Sequence, residues 1–230
     1  VDFLASEGHA DVAWQQLMKN DESGLPVLMQ GTIAILRHED SRGNDVNEWI
    51  ERLAERVLLS DAAGSIAFEQ LAQIRDLQGD IPAAEKQYRA ALRRNPDNVF
   101  ALNNLAWLMV SNGGDLSQAR QFIDRALEHA GRYPWLLDTL AQVQLAGGDP
   151  DGAMATLEEA LEIDADAHRH FLVARVYESQ GSNSDAAEQF EIARQLGLGE
   201  EDLHRLERPD FEQFVSRSKP EAETDSAGKL

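Results

Sequence analysis

The chain has 230 residues, no cysteine and a formal net charge of −20 at pH 7. Without cysteine it has no disulfide framework, no thiol nucleophile and no cysteine-ligated zinc. Its acidity weighs against nucleic acid as a partner, because a phosphate-binding surface needs clustered Lys and Arg. No run of about 18 apolar residues is present, so we expect no direct insertion into a membrane. The charge fits either an ordinary solvated surface or a basic partner bound in a salt-sensitive way.

Residues 1–64 predict a half-repeat followed by an irregular helical hairpin. A glycine, an alanine and a leucine within residues 1–20 have the spacing found in the second half of each unit further along the chain. We therefore expect an array of units that begins upstream of residue 1. Residues 25–59 predict a hairpin with Gly31 where its first helix needs a small residue, and with a long polar loop at 38–44.

Four units of 33–35 residues follow, at 65–98, 99–133, 134–166 and 167–198. Each carries three alanines and one glycine at nearly constant spacing. This pattern predicts two amphipathic helices joined by a glycine turn, with alanine wherever the two backbones approach most closely. The alanines are Ala72, Ala84, Ala91, Ala106, Ala119, Ala126, Ala141, Ala153, Ala160, Ala174, Ala186 and Ala193, and the glycines are Gly79, Gly114, Gly148 and Gly181.

These units resemble tetratricopeptide repeats, whose period is about 34 residues. The best match is residues 65–98, which contain Phe68, Leu71-Ala72, Gly79-Asp80 and the closing Asn95-Pro96. The resemblance implies an all-α fold, a right-handed α-solenoid of helix-turn-helix hairpins with a C-terminal capping helix. Short strings at residues 101–107 and 137–140 also resemble repeats of bacterial cell-envelope and exopolysaccharide-associated proteins.

The end of the chain predicts a cap and a tail. Leu203, Leu206, Phe211 and Phe214 lie in residues 199–215, where we expect a short acidic helix that begins near Glu200. Such a helix would cover the apolar face that the last hairpin otherwise exposes to water. Residues 216–230 have no apolar periodicity and are expected to be disordered.

The sequence offers little that indicates catalysis. Asp164, Asp166, His168 and His170 could bind a divalent ion. However, aspartate at a helix start is an ordinary cap, and the two histidines should point to different sides of a helix. There is no nucleophile elbow, phosphate-binding glycine loop or His-Glu-x-x-His motif. We therefore predict neither an enzyme nor a metal or cofactor site.

The resemblance implies that the first helix of each hairpin lines a concave groove that binds a protein or peptide. Aromatic rings would supply contact area there, and amides could bond a peptide backbone. Trp107 and Trp135 equally fit packing between neighbouring hairpins. The groove candidates are Ile66, Glu69, Gln73, Phe100, Asn103, Asn104, Trp107, Trp135, Asp138, Gln142, His168, Phe171 and Arg175.

One class of ligand is disfavoured by the same resemblance. Repeat arrays that hold the acidic tails of heat-shock chaperones use Lys, Arg and Asn on these helices, whereas Glu69, Trp135 and Thr139 occupy places where basic groups would be needed. An acidic tail would also meet an acidic protein.

Two functions remain open at this point. The first is a non-catalytic scaffold or adaptor that binds a peptide or protein segment in the groove. The alternative is an assembly or oligomerisation module, capable of self-association, in a larger bacterial cell-envelope or polysaccharide-export system. The short-string resemblance favours a soluble protein of the bacterial envelope or periplasm over a cytoplasmic one.

Overall fold

The computed structural model describes residues 9–19, 24–38, 44–60 and 63–218, and the regular secondary structure in these ranges is helical throughout. None of the described helices is both long enough and apolar enough to cross a membrane. Gly8, which is the glycine of the predicted half-repeat, and the tail beyond residue 218 lie outside the described ranges. The α-helices are α1 (Ala10–Lys19), α2 (Leu25–His38), α3 (Asn44–Leu58), α4 (Ser65–Leu77), α5 (Ile81–Arg94), α6 (Val99–Ser111), α7 (Leu116–Ala130), α8 (Pro134–Ala146), α9 (Pro150–Ile163), α10 (Ala167–Ser179), α11 (Asn183–Gln195) and α12 (Arg208–Ser218).

The chain forms two compact units. The N-terminal unit comprises the described residues of Val1–Met109 and Ser117–Gly131, and the C-terminal unit those of Val110–Leu116 and Arg132–Leu230. In the first, α4 pairs with α5 and also packs with α2, which contacts α1 and α3. In the second, α8 pairs with α9, α10 pairs with α11, and α10 also contacts α8 and α9. Both units are therefore built from stacked helical hairpins.

The alanine pattern is confirmed as the packing lattice of these hairpins. All twelve predicted alanines are buried, and none has more than 2% of its surface exposed. In the pair α4–α5, Ala72, Ala84 and Ala91 are each fully buried. A methyl group fills the space between two close backbones without forcing them apart, which is why larger apolar side chains lie around these positions rather than in them.

A glycine in the left-handed conformation follows the first helix of each of the four repeats in residues 65–198. Gly79, Gly148 and Gly181 have φ of 82°, 80° and 77°, a region that side chains with a Cβ rarely adopt. In the second repeat, residues 99–133, this role belongs to Gly113, with φ of 68°, and not to Gly114 as predicted. Gly113 follows Ala106 by seven residues, as Gly79 follows Ala72, so the extra residue of this repeat comes after the turn glycine.

Two contacts hold α2, the first helix of the irregular hairpin, against α1 and α3. A Cβ placed on Gly31 would lie 2.6 Å from Leu17 Cδ1, so the predicted need for a small residue at Gly31 is supported by the close approach of α1. On the α3 side, the buried Trp49 Nε1 donates a hydrogen bond of 3.0 Å to Thr32 Oγ1. These contacts fix the position of α2.

The C-terminal cap is present, but its form differs from the prediction. A 3₁₀ turn at Glu200–Asp202 comes first, and α12 begins only at Arg208, where Pro209 suits the first helical turn. The helix then continues to Ser218, so residues 216–218 are helical rather than part of a disordered tail. Phe211 and Phe214 pack in one cluster with Phe171 and Phe190, and the Phe190 and Phe214 ring centroids are 5.0 Å apart.

The buried alanines predict a strong penalty for overpacking. Replacing Ala126→Leu adds three carbons at a site with no exposed surface, which we expect to destabilise the chain by about 1–3 kcal/mol. The change is measured as a lower melting temperature by circular dichroism. The control is Ala155→Leu, at an exposed position within α9, which should leave the melting curve nearly unchanged. Equal melting temperatures for the two variants would contradict this packing.

Candidate functional site

A groove of about 1030 Å³ lies on the N-terminal unit, between α2, α4 and the start of α6. On α4 the lining positions follow each other by three or four residues, so they form a single face of the helix. On α2, the lining positions 27, 30, 31, 34 and 37 have the same spacing. The lining includes Val27, Gln30, Gly31, Ala34 and Arg37 from α2, Ile66, Glu69, Gln70 and Gln73 from α4, and Val99 and Phe100 from α6.

Exposed apolar side chains occur on each of the three helices. Val27, Ile66 and Phe100 have 60%, 64% and 58% of their surface exposed. Isolated exposed apolar residues are common on protein surfaces, but three around one concavity are typical of a binding site. The groove thus offers apolar contacts from three directions.

The floor of the groove is polar and incompletely satisfied. Glu69 is 7% exposed, and its carboxylate accepts a hydrogen bond from the Gln73 amide. Burial raises the pKa of Glu69 above its usual value, and the Gln73 hydrogen bond only partly offsets this effect. The neighbouring Gln70 is 6% exposed, and its Oε1 has no hydrogen-bond partner. Two consecutive residues of α4 that line the groove therefore each hold a buried oxygen acceptor.

A short hydrogen-bond network holds α4 and α6 at a constant separation. Ser65 Oγ donates to the Ala91 carbonyl at 3.0 Å, and Asn98 Nδ2 donates to Ser65 Oγ at 2.9 Å. Asn98 Oδ1 also accepts from the Ala101 backbone N–H at 3.0 Å, which caps α6. Because Ser65 and Asn98 are buried, this network defines the walls of the groove.

Charged groups at the groove edge are already engaged or open to solvent. Asp97 accepts a hydrogen bond from Arg125 Nη2 and lies 3.0 Å from His129 Nε2. Arg37 is exposed. The groove is therefore bordered by screened charges, whereas its one buried charged group is Glu69 among the described lining residues.

Four of the sequence candidates line this groove, namely Ile66, Glu69, Gln73 and Phe100. Asn103, Asn104 and Trp107 do not. Asn104 donates to Tyr88 Oη at 3.2 Å, and Asn103, 8% exposed, donates to Asn104 Oδ1 at the same distance. The half-buried Trp107 engages in contacts within the fold. These three therefore lie outside the groove that the other four share.

The candidates of the third unit are tied to α10. Asp138 Oδ1 lies 3.0 Å from Nε of Arg169, which is 4% exposed. Burial raises the pKa of Asp138 to about 6, although the Arg169 charge opposes this shift. Gln142, 5% exposed, accepts from Arg175 at 3.3 Å. Trp135 is half-buried.

The acidic and histidine side chains considered for a metal contact other protein side chains instead of converging on one point. Asp164 and Asp166 both contact Arg169, and Asp166 also caps α10 through the Arg169 backbone N–H. His170 Nδ1 lies 2.8 Å from Gln189 Oε1, whereas His168 faces another direction. No cluster of three or more His, Cys, Asp or Glu suited to a metal occurs in the part of the chain that the structure describes.

The candidates of the fourth unit contact the C-terminal cap instead of an open groove. His168 Nε2 lies 3.0 Å from Glu207 Oε1, and Arg175 Nε lies 2.8 Å from Asp210 Oδ2. Phe171, predicted to face the groove, is fully buried because the cap phenylalanines pack against it. The cap thus covers the face of α10 that the sequence assigned to a partner.

The contribution of α2 is the part of the groove that sequence reasoning missed. Its hairpin departs from the repeat pattern, so no groove positions were assigned to it. The signal was present in the spacing of Val27, Gln30, Ala34 and Arg37, which places them on one helical face.

Comparison with known families identifies the repeats. Tetratricopeptide repeat profiles match residues 69–134 and residues 113–176. Among curated proteins, the chain is similar to cellulose synthase operon protein C of Xanthomonas axonopodis pv. citri (strain 306), with 35% identity over 144 residues that represent 58% of this chain. The chain spans only 9% of the length of that protein.

Solved structures show the same fold. A thermophilic TPR protein of Thermus thermophilus superposes with a TM-score of 0.59 at 17% identity, covering 90% of this chain and 99% of that chain. The pilF structure of Pseudomonas aeruginosa has a TM-score of 0.56 at 19% identity, covering 85% and 90%. At such identities the likeness establishes an all-α solenoid of helical hairpins.

The His168–Glu207 pair predicts a stability that falls as the pH rises. Burial opposes the charged imidazole, but the hydrogen bond and charge of Glu207, together with the charges of Asp138 and Asp166, outweigh burial and raise the pKa of His168 above 6.5. The protonated pair therefore stabilises the folded chain fully below pH 6.5, and this contribution is lost as the pH rises through the raised pKa. We expect the melting temperature to fall more between about pH 6 and about pH 8 in the wild type than in His168→Gln.

The matched control for this measurement is His170→Gln, since His170 contacts the neutral amide of Gln189. Its melting temperature should depend on pH as in the wild type. If the melting temperatures of His168→Gln and His170→Gln change equally with pH, the His168–Glu207 pair does not make the predicted pH-dependent contribution to stability.

Proposed function

Because this chain is a tetratricopeptide-repeat protein, we propose that it is a non-catalytic scaffold that binds a peptide or protein segment in the groove of its N-terminal unit. The repeat fold supports a role in protein–protein interaction. The finer proposal rests on one observation, namely that three exposed apolar side chains on three helices surround a single concavity with a buried polar floor.

The form of the groove suits a peptide rather than a small molecule. Its volume of about 1030 Å³ is at the upper limit of ordinary ligand pockets, and its apolar side chains are exposed at the edges rather than enclosed. A helical or extended segment can place alternate side chains against Val27, Ile66 and Phe100. Of the sequence candidates, we assign Ile66, Glu69, Gln73 and Phe100 to this contact.

The test removes the apolar contacts and leaves the helices intact. The double variant Ile66→Ser and Phe100→Ser is compared with a control, Ile163→Ser and Leu196→Ser, whose side chains are exposed to a similar degree outside the groove. Each protein is used as bait in cells that express it, and bound proteins are quantified by mass spectrometry. We expect partners to be lost from the first variant by about tenfold or more and to be retained by the control. Equal recovery by a folded first variant would contradict the proposal.

A second function is favoured by the similarity to cellulose synthase operon protein C. In this alternative, the repeats form an assembly or oligomerisation module of a bacterial envelope or polysaccharide-export system, and the chain associates with itself. Size-exclusion chromatography with light scattering should then give a mass that is a multiple of 25.5 kDa and rises with concentration. A mass of 25.5 kDa at every concentration would contradict self-association.

A further inference from the structure

We infer that the groove selects a segment with a basic residue flanked by apolar residues, and that Glu69 and Gln70 bind the cation while Val27, Ile66 and Phe100 bind its neighbours. This inference rests on the proposed function, since it names the chemistry of the partner for the same groove.

The two buried acceptors on α4 match the hydrogen-bonding capacity of a cation. Glu69 presents a carboxylate, and Gln70 holds an Oε1 without a hydrogen-bond partner. A lysine ammonium has three donors and no acceptor, and an arginine guanidinium has five donors and no acceptor. Both can bind Glu69 and, after a rotation of the Gln70 side chain, its amide oxygen as well. An acidic or purely apolar side chain would leave the buried Gln70 oxygen without a donor and the buried Glu69 carboxylate without an opposite charge, both of which are costly.

The electrostatics of Glu69 favour the same class of ligand. Among the described residues, its hydrogen-bond donor is the neutral amide of Gln73, and no cation forms an ion pair with it. Burial therefore acts against the charged carboxylate, which raises its pKa. A cation from a partner would reverse this effect by pairing with the carboxylate. The exposed Arg37 also lines the groove, but the pKa of Glu69 is set by burial and by Gln73.

The apolar side chains provide the flanking contacts. Ile66 precedes Glu69 by three residues and therefore lies one turn away on the same face of α4. Val27 and Phe100 reach the groove from α2 and α6. A bound cation in contact with Glu69 would thus have apolar surface on several sides. The net charge of −20 would attract a basic segment and accelerate its encounter at low salt.

The C-terminal cap provides an internal comparison in the same register. His168, Phe171 and Arg175 occupy the positions of Ile66, Glu69 and Gln73, each 102 residues later. On this face of α10, the basic side chains contact the acidic Glu207 and Asp210 of the cap. The aromatic side chain of this face packs against Phe211 and Phe214. The contacts of this face are thus complementary in charge, and an apolar face with a buried carboxylate calls for an apolar and basic segment.

The test uses fluorescein-labelled twelve-residue peptides with leucine or phenylalanine three and four residues on either side of a central Lys, Arg, Met or Glu. Fluorescence anisotropy gives the affinity of the full chain for each peptide. We expect the Lys or Arg peptides to bind about tenfold more tightly than the Met peptides, and the Glu peptides to bind least. The preference should weaken as salt is added.

Variants then separate this inference from the proposed function. Glu69→Gln should reduce the affinity for Lys and Arg peptides to that of the Met peptides without changing the latter, whereas the exposed control Glu48→Gln, with the same change in net charge, should bind like the wild type. Equal binding of Lys and Met peptides, or no peptide binding at all, would overturn the inference. Suppose that the wild type binds Lys and Met peptides equally and that the variant Ile66→Ser with Phe100→Ser binds neither. The groove is then still the binding site, and only the inferred selectivity fails. If that variant binds every peptide as the wild type does, the groove itself is not the site.

Discussion

The close approach of paired helices at alanine is the constraint on which the rest of this structure depends. Ala72, Ala84 and Ala91 are fully buried between α4 and α5, so the rotation of α4 about its axis is determined. With that rotation, Ile66, Glu69 and Gln73 line the groove. The same lattice recurs in both units and leaves the groove-facing positions free to vary. The residues that pack the hairpin and the residues that line the groove are therefore different residues of the same helix.

Local periodicity explains which features the sequence could predict. The helices, the buried alanines and the glycine turns depend on residues a few positions apart, and the structure confirms them, with Gly113 replacing Gly114 in the one turn that has an insertion. The cap contacts depend on residues far apart, since His168 and Glu207 are separated by 39 positions. The sequence predicts that Phe211 and Phe214 cover the last hairpin, but the prediction that Phe171 faces an open groove is wrong because these two rings bury it. The groove likewise needed α2, whose hairpin lacks the repeat spacing.

The chemistry of the groove floor could not be predicted for a related reason. Glu69 and Gln70 are polar residues on an amphipathic helix, and such residues are usually exposed. Their burial arises from the packing of α2 and α6 beside α4, which the Ser65–Asn98 hydrogen bond stabilises. A buried acceptor without a partner costs about 1–3 kcal/mol, and of the unpartnered buried oxygens among the described residues the Gln70 oxygen is the one whose residue lines the groove.

The equivalent faces of α4 and α10, each the first helix of its repeat, show how one repeat geometry can serve two purposes. On α10, the chain supplies its own complementary segment, and the phenylalanine cluster makes that contact part of the hydrophobic core. On α4, the equivalent positions keep Ile66 exposed and leave the Gln70 oxygen unsatisfied. A face that served stability alone would be expected to bury its apolar residues and to pair its polar ones, as α10 does. The contrast between two faces in the same register therefore supports a binding role for the groove of the N-terminal unit and a structural role for the face under the cap.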